Sequence, residues 1–438
     1  MRPQRRTFFK HSVACLILLG LAVSGARAAP PLTLSVAIAD ALRHQPRVQE
    51  AARVRAVGRD LARAARALRL PQLGLVSAGI WTQVRDGTPL YASANGVREL
   101  IGQLRVSVPI FAPEYAALAR AARDRAAVAA EEEEVVRLRV AAQVVDAYYA
   151  LALLQQQEKI WQSALADSER LYTATRRAYK AGGVSRLDRV QTALMRNRAR
   201  SVLLQIAGER RAATRVLALL LGTRRWRRPV TLVSVTSPRR ALPTMQGVRR
   251  ATLQEQPLLR VATREIRLGR TQLGLERAAR LPTLSGQVAY GVDTPTGIRG
   301  RDLGWQVGLS LSMPLYGFGV HEDRVAAAKE QLAALRYARR ALLLQLDTRL
   351  ATDLAAARTA RAGLRTAAVG AREAGAVYRM TRKGYLAGAL DALELAQAQS
   401  AWTRARLRLD AARIAVRMTA VQLDLDEGHY PGEREVES

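Results

Sequence analysis

Cysteine is almost missing from this chain: Cys15 is alone among 438 residues. That excludes a disulfide framework and any thiolate-rich metal centre. Aromatic residues make up only 5% against 49% hydrophobic, so the interior has to be built from Leu, Ala and Val, which suits close helix–helix contact. The four histidines, His11, His44, His321 and His429, lack the close spacing of a zinc site. Gly317-Phe318-Gly319-Val320-His321 lacks the lysine and the spacing of a phosphate loop. Beyond the N-terminus no apolar run approaches the ~18 residues of a membrane-spanning helix. These absences exclude catalytic, cofactor and metal chemistry as readings. Any work this protein takes part in must be driven by a partner.

Lysine is scarce as well. Of 69 basic residues five are lysine and the rest arginine, with a formal net charge of +32. Such a balance can mark a nucleic-acid or anionic-membrane footprint. Here the arginines are scattered rather than clustered, which fits arginine-rich coding and exposed helix positions; no nucleic-acid partner is expected.

The first 28 residues read as a secretory signal. Arg2, Arg5, Arg6 and Lys10 precede an apolar core from Val13 to Val23, and Ala26-Arg27-Ala28 fits a cleavage site. A mature start near Ala29 lowers the formal charge from +32 to +27, with five basic groups and no acid removed. Arg5-Arg6-Thr7-Phe8-Phe9-Lys10 also resembles a twin-arginine signal, and both export routes stay open. Cys15 lies at the start of the apolar core rather than its end, which argues against a lipid anchor.

What is present is length without interruption. From Glu114 to Ala181 there are 68 residues and neither glycine nor proline. Within it Val140, Val144, Ala147, Leu151 and Leu154 recur at steps of four and three, a coiled-coil seam. One helix of that length would measure roughly 100 Å. Gly182-Gly183 breaks it, and a second apolar-periodic run from Val184 to about Leu221 supplies a partner before Gly222.

The pattern then repeats. Ala41-Leu42-Arg43-His44-Gln45-Pro46 aligns with Thr252-Leu253-Gln254-Glu255-Gln256-Pro257 at an offset of 211, and Leu70-Pro71-Gln72-Leu73 with Leu281-Pro282-Thr283-Leu284 at the same offset. Val106-Ser107-Val108-Pro109-Ile110-Phe111 aligns with Leu311-Ser312-Met313-Pro314-Leu315-Tyr316 at 205, and Thr175 to Gly182 with Thr381 to Gly388 at 206. Four matches in one order, with offsets this close, indicate duplication. The first unit spans 29–222: a helix over about 35–70, strands near 73–82 and 103–110, and a helical hairpin over 113–221. The second spans 244–428: a helix over about 244–281, strands near 284–292 and 305–313, and a hairpin over 320–425. Residues 223–243 form an irregular linker and 429–438 a tail. Gly363, Gly370 and Gly375 suggest bending or close approach in the second long helix.

The strands alternate. Trp305, Val307, Leu309, Leu311 and Met313 oppose Gln306, Gly308, Ser310 and Ser312; Leu104, Val106, Val108 and Ile110 oppose Gln103, Arg105 and Ser107. Val288, Tyr290 and Val292 oppose Gln287, Ala289, Gly291 and Asp293, while the first strand is apolar on both faces. Strands of about ten residues with one apolar face suit a membrane β-barrel, or a half-buried soluble sheet. Four strands cannot close around a channel, and an open sheet in lipid leaves its edges unsatisfied. If these strands lie in a membrane, several chains must share one barrel.

The duplicated order, the paired Leu-Pro-x-Leu segments, the Val-Pro-Ile-Phe and Met-Pro-Leu-Tyr segments and the Tyr-x-x-Gly tips together resemble the outer membrane efflux protein (TolC-like) family over residues 32–428. The resemblance implies a mainly α fold with a membrane β-barrel portion: a homotrimer whose twelve strands form the barrel and whose helices form a long periplasmic tunnel. It implies an exit duct of a tripartite efflux pump or type I secretion system in the Gram-negative outer membrane. The implied partners are outer membrane lipid, a periplasmic adaptor (membrane fusion protein) and an inner-membrane pump of RND, ABC or MFS type.

Asp391, Glu394 and Gln397 recur at three-residue spacing on one helix face beyond Gly388, with Ser185, Asp188 and Gln191 as their first-copy counterparts. Carboxylates there need only the helix dipole to explain them. The resemblance adds a second role, an acidic ring at the tunnel's closed end, which makes Asp391, Glu394 and Asp188 candidate gate residues. Tyr179, Gly182, Gly183, Tyr385 and Gly388 are the candidate adaptor contacts. The run Glu131 to Glu134 is expected to be a solvated face. The loops 84–102 and 293–304 are expected outside the cell. A periplasmic coiled-coil adaptor or scaffold is the alternative reading; against it stand the doubled hairpin and the lack of a lipoyl-like β domain.

Overall fold

The structure is a computed structural model. It describes residues 32–86, 88–89, 98–222, 242–294 and 303–431. The expected export signal, Cys15, almost all of the expected linker, most of the expected tail and parts of both expected outer loops lie outside the described residues.

The first unit contains α1 (Leu34–His44), α2 (Pro46–Ala67), β1 (Gln72–Trp81), β2 (Val84–Arg85), β3 (Thr88–Pro89), β4 (Arg98–Phe111), α3 (Pro113–Lys180) and α4 (Arg186–Leu220). The second contains α5 (Met245–Glu255), α6 (Pro257–Ala278), β5 (Thr283–Thr294), β6 (Gly304–Ser312), α7 (Val320–Leu386) and α8 (Ala392–Glu427). One expectation fails in both units. The opening helix, read as continuous from 35 to 70 and from 244 to 281, is two helices. Pro46 and Pro257 lack the amide hydrogen that would continue the ladder, and each disfavours helical geometry in the residue before it. Gln45 and Gln256 are accordingly extended (ψ 123° and 119°), each closing one helix while preceding the N-terminal proline of the next.

The long helices α3 and α7 have 68 and 67 residues, roughly 100 Å each. Their neighbours change along their length. In one half the order across the layer is α2, α3, α6, α7; in the other it is α4, α3, α8, α7. The strands stand in the order β1, β4, β5, β6, antiparallel throughout. That order matches the helices each strand joins, so sheet and first half-layer form one continuous wall. Within the second expected strand and loop, β4 is longer than 103–110, and β2 pairs with β3 as a small ribbon.

The main core lies where the two half-layers meet. Val140, Val144 and Leu151 of the coiled-coil seam are buried there with Ile38 of α1, Leu217 of α4 and Ile414 and Leu425 of α8. Tyr148 donates its hydroxyl proton to the Leu32 carbonyl at 3.0 Å, fixing the start of the described chain to α3. The closing glycines repeat the geometry. Gly222 (φ +75°) and Gly428 (φ +92°) sit where a Cβ would come within 2.6 Å of the His44 carbonyl oxygen and 2.8 Å of that of Glu255. Each unit thus docks its last helix against the end of its own first helix. Of Gly363, Gly370 and Gly375 in α7, only Gly375 makes a close approach: it lies under Trp402, which stacks on Tyr378 at 4.8 Å.

Candidate functional site: a membrane-facing sheet and a capped helical tip

Residues paired across an antiparallel sheet share a face. Register places Leu75, Leu104, Tyr290 and Trp305 in one row and Leu73, Val106, Val288 and Val307 in another. The ambiguity of β1 is thereby resolved, since Leu73 and Leu75 join this apolar face. The face is uncovered: Leu73 is 72%, Leu75 74%, Leu309 73% and Trp305 77% exposed. From Trp305 to Met313 it extends about 26 Å along the strand, close to the apolar band of a membrane barrel.

Aromatic residues gather at both ends of the band. Trp81, Tyr290 and Trp305 lie toward one end; Phe111, Tyr316 and Phe318 lie at the other, beside the long helices. A register shift between Pro109 and Phe111 brings Phe111 opposite Leu284, on the apolar side. The ring pair Tyr316–Phe318, at 4.8 Å, is held in a turn where Phe318 has φ +49°. The opposite face carries Gln72, Ser107, Gln287 and Gly308 in one row and Gly74, Arg105, Ala289 and Gln306 in the next. One side is therefore suited to lipid and the other to water. Within the chain β1 and β6 each keep an unpaired edge among the described residues.

The far end of the helices is built from two copies of one turn. Gly182 and Gly388 both have φ +75°, which lets Gly183 N–H reach the Ala178 carbonyl and Ala389 N–H the Gly384 carbonyl, both at 2.9 Å. A capping box follows each. Ser185 Oγ accepts from Asp188 N–H at 3.1 Å, and Asp188 Oδ2 accepts from Ser185 N–H at 3.1 Å. Asp391 Oδ1 accepts from Glu394 N–H at 2.8 Å, and Glu394 Oε2 accepts from Asp391 N–H at 3.3 Å. Asp188 also accepts the Ala392 N–H on Oδ1 at 3.4 Å. All three predicted gate carboxylates are therefore gathered at the tip, where each has a capping duty; Asp391 and Glu394 are exposed and Asp188 half-buried.

The tyrosines of the tips are not equivalent. Tyr385 is half-buried, and its hydroxyl lies 2.9 Å from Thr175 Oγ1 on the other hairpin. Tyr179 instead lies beneath the Arg189 guanidinium, 4.8 Å from its ring centre.

A family model described as outer membrane efflux protein matches residues 37–223 and 248–425, the two units. The chain belongs to the outer membrane efflux protein family. It is similar in fold to CusC (TM-score 0.80, 19% identity, 90% of this chain and 92% of that one). It is also similar to the Campylobacter jejuni CmeC outer membrane channel (0.76, 16%, 92% and 88%) and to the Vibrio cholerae outer membrane protein VceC (0.75, 19%, 90% and 96%). No curated protein sequence matches it. This efflux protein is thus a non-enzymatic exit channel of the Gram-negative outer membrane. Channels of the family are trimeric and work with periplasmic adaptors and inner-membrane pumps.

The structure also gives this efflux protein functional contacts that residue patterns did not single out. The acidic run of α3 is not a solvated face. Glu131 pairs with Arg260 (3.0 Å) and Arg264 (3.4 Å) of α6, whereas Glu133 pairs with Arg55 (3.2 Å) of α2. Two residues apart on a helix point in nearly opposite directions, so the run clamps α3 to both neighbours. Nearer the tip, Gln399 Nε2 of α8 donates to Ser168 Oγ at 3.1 Å on α3, with both residues buried.

At the junction of the half-layers, Asp426 is buried. Its carbonyl accepts from Gln256 Nε2 (2.9 Å) and Thr252 Oγ1 (3.2 Å), tying α8 to the α5–α6 break. Burial and a hydrogen bond with Asp353 push its carboxyl up to about 8, even though the Arg349 guanidinium 2.9 Å away pulls the other way. The repeated Gln-Pro pair marked this position in the sequence; its acidic partner carried no signal.

Proposed function

We propose that three copies of this chain pool their sheets into a twelve-stranded barrel and their helical layers into one periplasmic tunnel. The observation that carries the reading is the wall itself: four strands with one uncovered apolar face, two open edges and helices of roughly 100 Å continuing the same order. A single copy would leave the edge hydrogen bonds of β1 and β6 unmade in lipid. Joining the β6 edge of one copy to the β1 edge of the next satisfies both.

In this assembly Asp391, Glu394 and Asp188 form an acidic constriction at the closed periplasmic end, which attracts cations. Tyr179, Gly182, Gly183, Tyr385 and Gly388 form the tips that receive the adaptor, and untwisting of the α7–α8 hairpin, driven by the docked adaptor, opens the duct. Residues 1–28 direct export and are removed. The driving energy comes from an inner-membrane pump of RND, ABC or MFS type, in a tripartite exporter or a type I secretion system. The test is planar-bilayer recording of the purified protein with Asp391→Ala and Glu394→Ala. Closed-state conductance should rise and divalent-cation block should weaken; unchanged currents would remove the gate role. Cross-linking from cysteines placed at 182 and 388 to the adaptor tests the tips.

A further inference from the structure

The water-facing side of the sheet carries an isolated charge. Among its described residues Arg105 is the one basic side chain. The acids, Glu99 and Asp293, lie toward the end away from the long helices. Asp293 sits opposite Ile101 and Glu99 opposite Ile80. Arg105 is therefore four and six residues from their rows, about 13 Å and 20 Å at ~3.3 Å per residue. Both distances exceed the ~8 Å over which physiological salt screens a charge.

Among the described residues nothing nearby neutralises it. The guanidinium Nη2 donates to Gln103 Oε1, a neutral amide, at 3.2 Å. Across the sheet its partners are Gly74 and Ala289, with Gln306 beyond. Those two residues are too small to cover a guanidinium from the space above. An arginine flanked by uncharged residues leaves its field unopposed where a permeant passes.

We propose that Arg105, repeated around the axis of the barrel, forms a ring of positive charge part-way along the lumen that favours anionic permeants, inorganic anions and organic acids alike. The proposal rests on the trimeric duct reading. It gives the duct two charge filters in series and of opposite sign, with Asp391 and Glu394 at the periplasmic tip and Arg105 within the membrane. The ring acts by its field rather than by fit, so its reach is about 10 Å at 0.1 M salt and about 3 Å at 1 M.

The experiment is reversal-potential measurement across a KCl gradient in planar bilayers, with the full-length wild type, Arg105→Lys, Arg105→Ala and Arg105→Glu. The acidic tip is common to all four, so differences report on position 105. The permeability ratio of chloride to potassium should fall in R105A, fall further in R105E and stay near wild type in R105K, with the differences collapsing near 1 M salt. Channels with the same ratio in wild type, R105A and R105E would overturn the proposal while leaving the duct intact. Absence of channels from all four proteins would overturn the duct reading and the proposal with it.

Discussion

The hydroxyl groups of Thr175 and Tyr385 lie 2.9 Å apart, joining the end of α3 in the first unit to the end of α7 in the second. These helices are otherwise separated at the tip by the start of α8. Tyr385→Phe removes the bond and keeps the ring, at a cost on the order of 1 kcal/mol. Single-channel recording should show more frequent opening in Y385F. Tyr179→Phe should record like wild type, because Tyr179 uses its ring face rather than its hydroxyl to hold Arg189.

The tip carboxylates combine a capping role with a proposed electrostatic one, and the two can be separated. Asn is as good an N-cap as Asp, and Gln can replace Glu in a capping box. The double variant Asp391→Asn, Glu394→Gln should therefore melt near the wild-type temperature while losing divalent-cation block. Replacement of both by Ala should lose the block and also about 1 kcal/mol of α8 stability. Thermal melting beside bilayer recording gives both readouts.

Much of this fold was legible because its signals are long and doubled. Sixty-eight residues without glycine or proline leave little but a helix, and the repeat fixed the order of elements in each unit. The alternation of β6 marked its apolar face without ambiguity. For β1 it did not, since Leu73, Leu75 and Val76, Ala78, Ile80 read alike until the register with β4 separated them. The breaks at Pro46 and Pro257 were visible as prolines but were absorbed into an otherwise regular helical period. At the tip, residue types and spacing located Asp188, Asp391 and Glu394. The bonds of Tyr385 and Gln399 depend on neighbours 210 and 231 residues away, and no local pattern encodes them.

The closing glycines are a stability prediction. Gly222→Ala or Gly428→Ala forces a side chain into the left-handed region, costing about 1–2 kcal/mol, and drives a Cβ against a backbone carbonyl that cannot move aside. Both variants should be destabilised by more than that conformational cost. Gly363→Ala, in α7 with open space around it, should be neutral or slightly stabilising. Comparison of melting temperatures for the three variants checks the claim.

Asp426 predicts a pH dependence. Its folded value, about 8, lies above its ordinary value of 3.8, so the folded protein holds a proton there that the unfolded chain releases. Stability from this site is therefore fully present below about pH 4 and is lost as pH rises toward and through about 8. Melting from pH 5 to 9 should show wild type losing stability toward the alkaline end. Asp426→Asn should flatten that slope; an unchanged slope would place the titration elsewhere.

The central claim is that one copy cannot complete its own wall. Its most direct measurement is the copy number and outline of the full-length protein extracted in mild detergent, by mass measurement on single particles and electron microscopy of the same sample. Three copies around one continuous lumen are predicted, with a short barrel at one end and a long helical cylinder below. A single copy, folded and without a lumen, would contradict it.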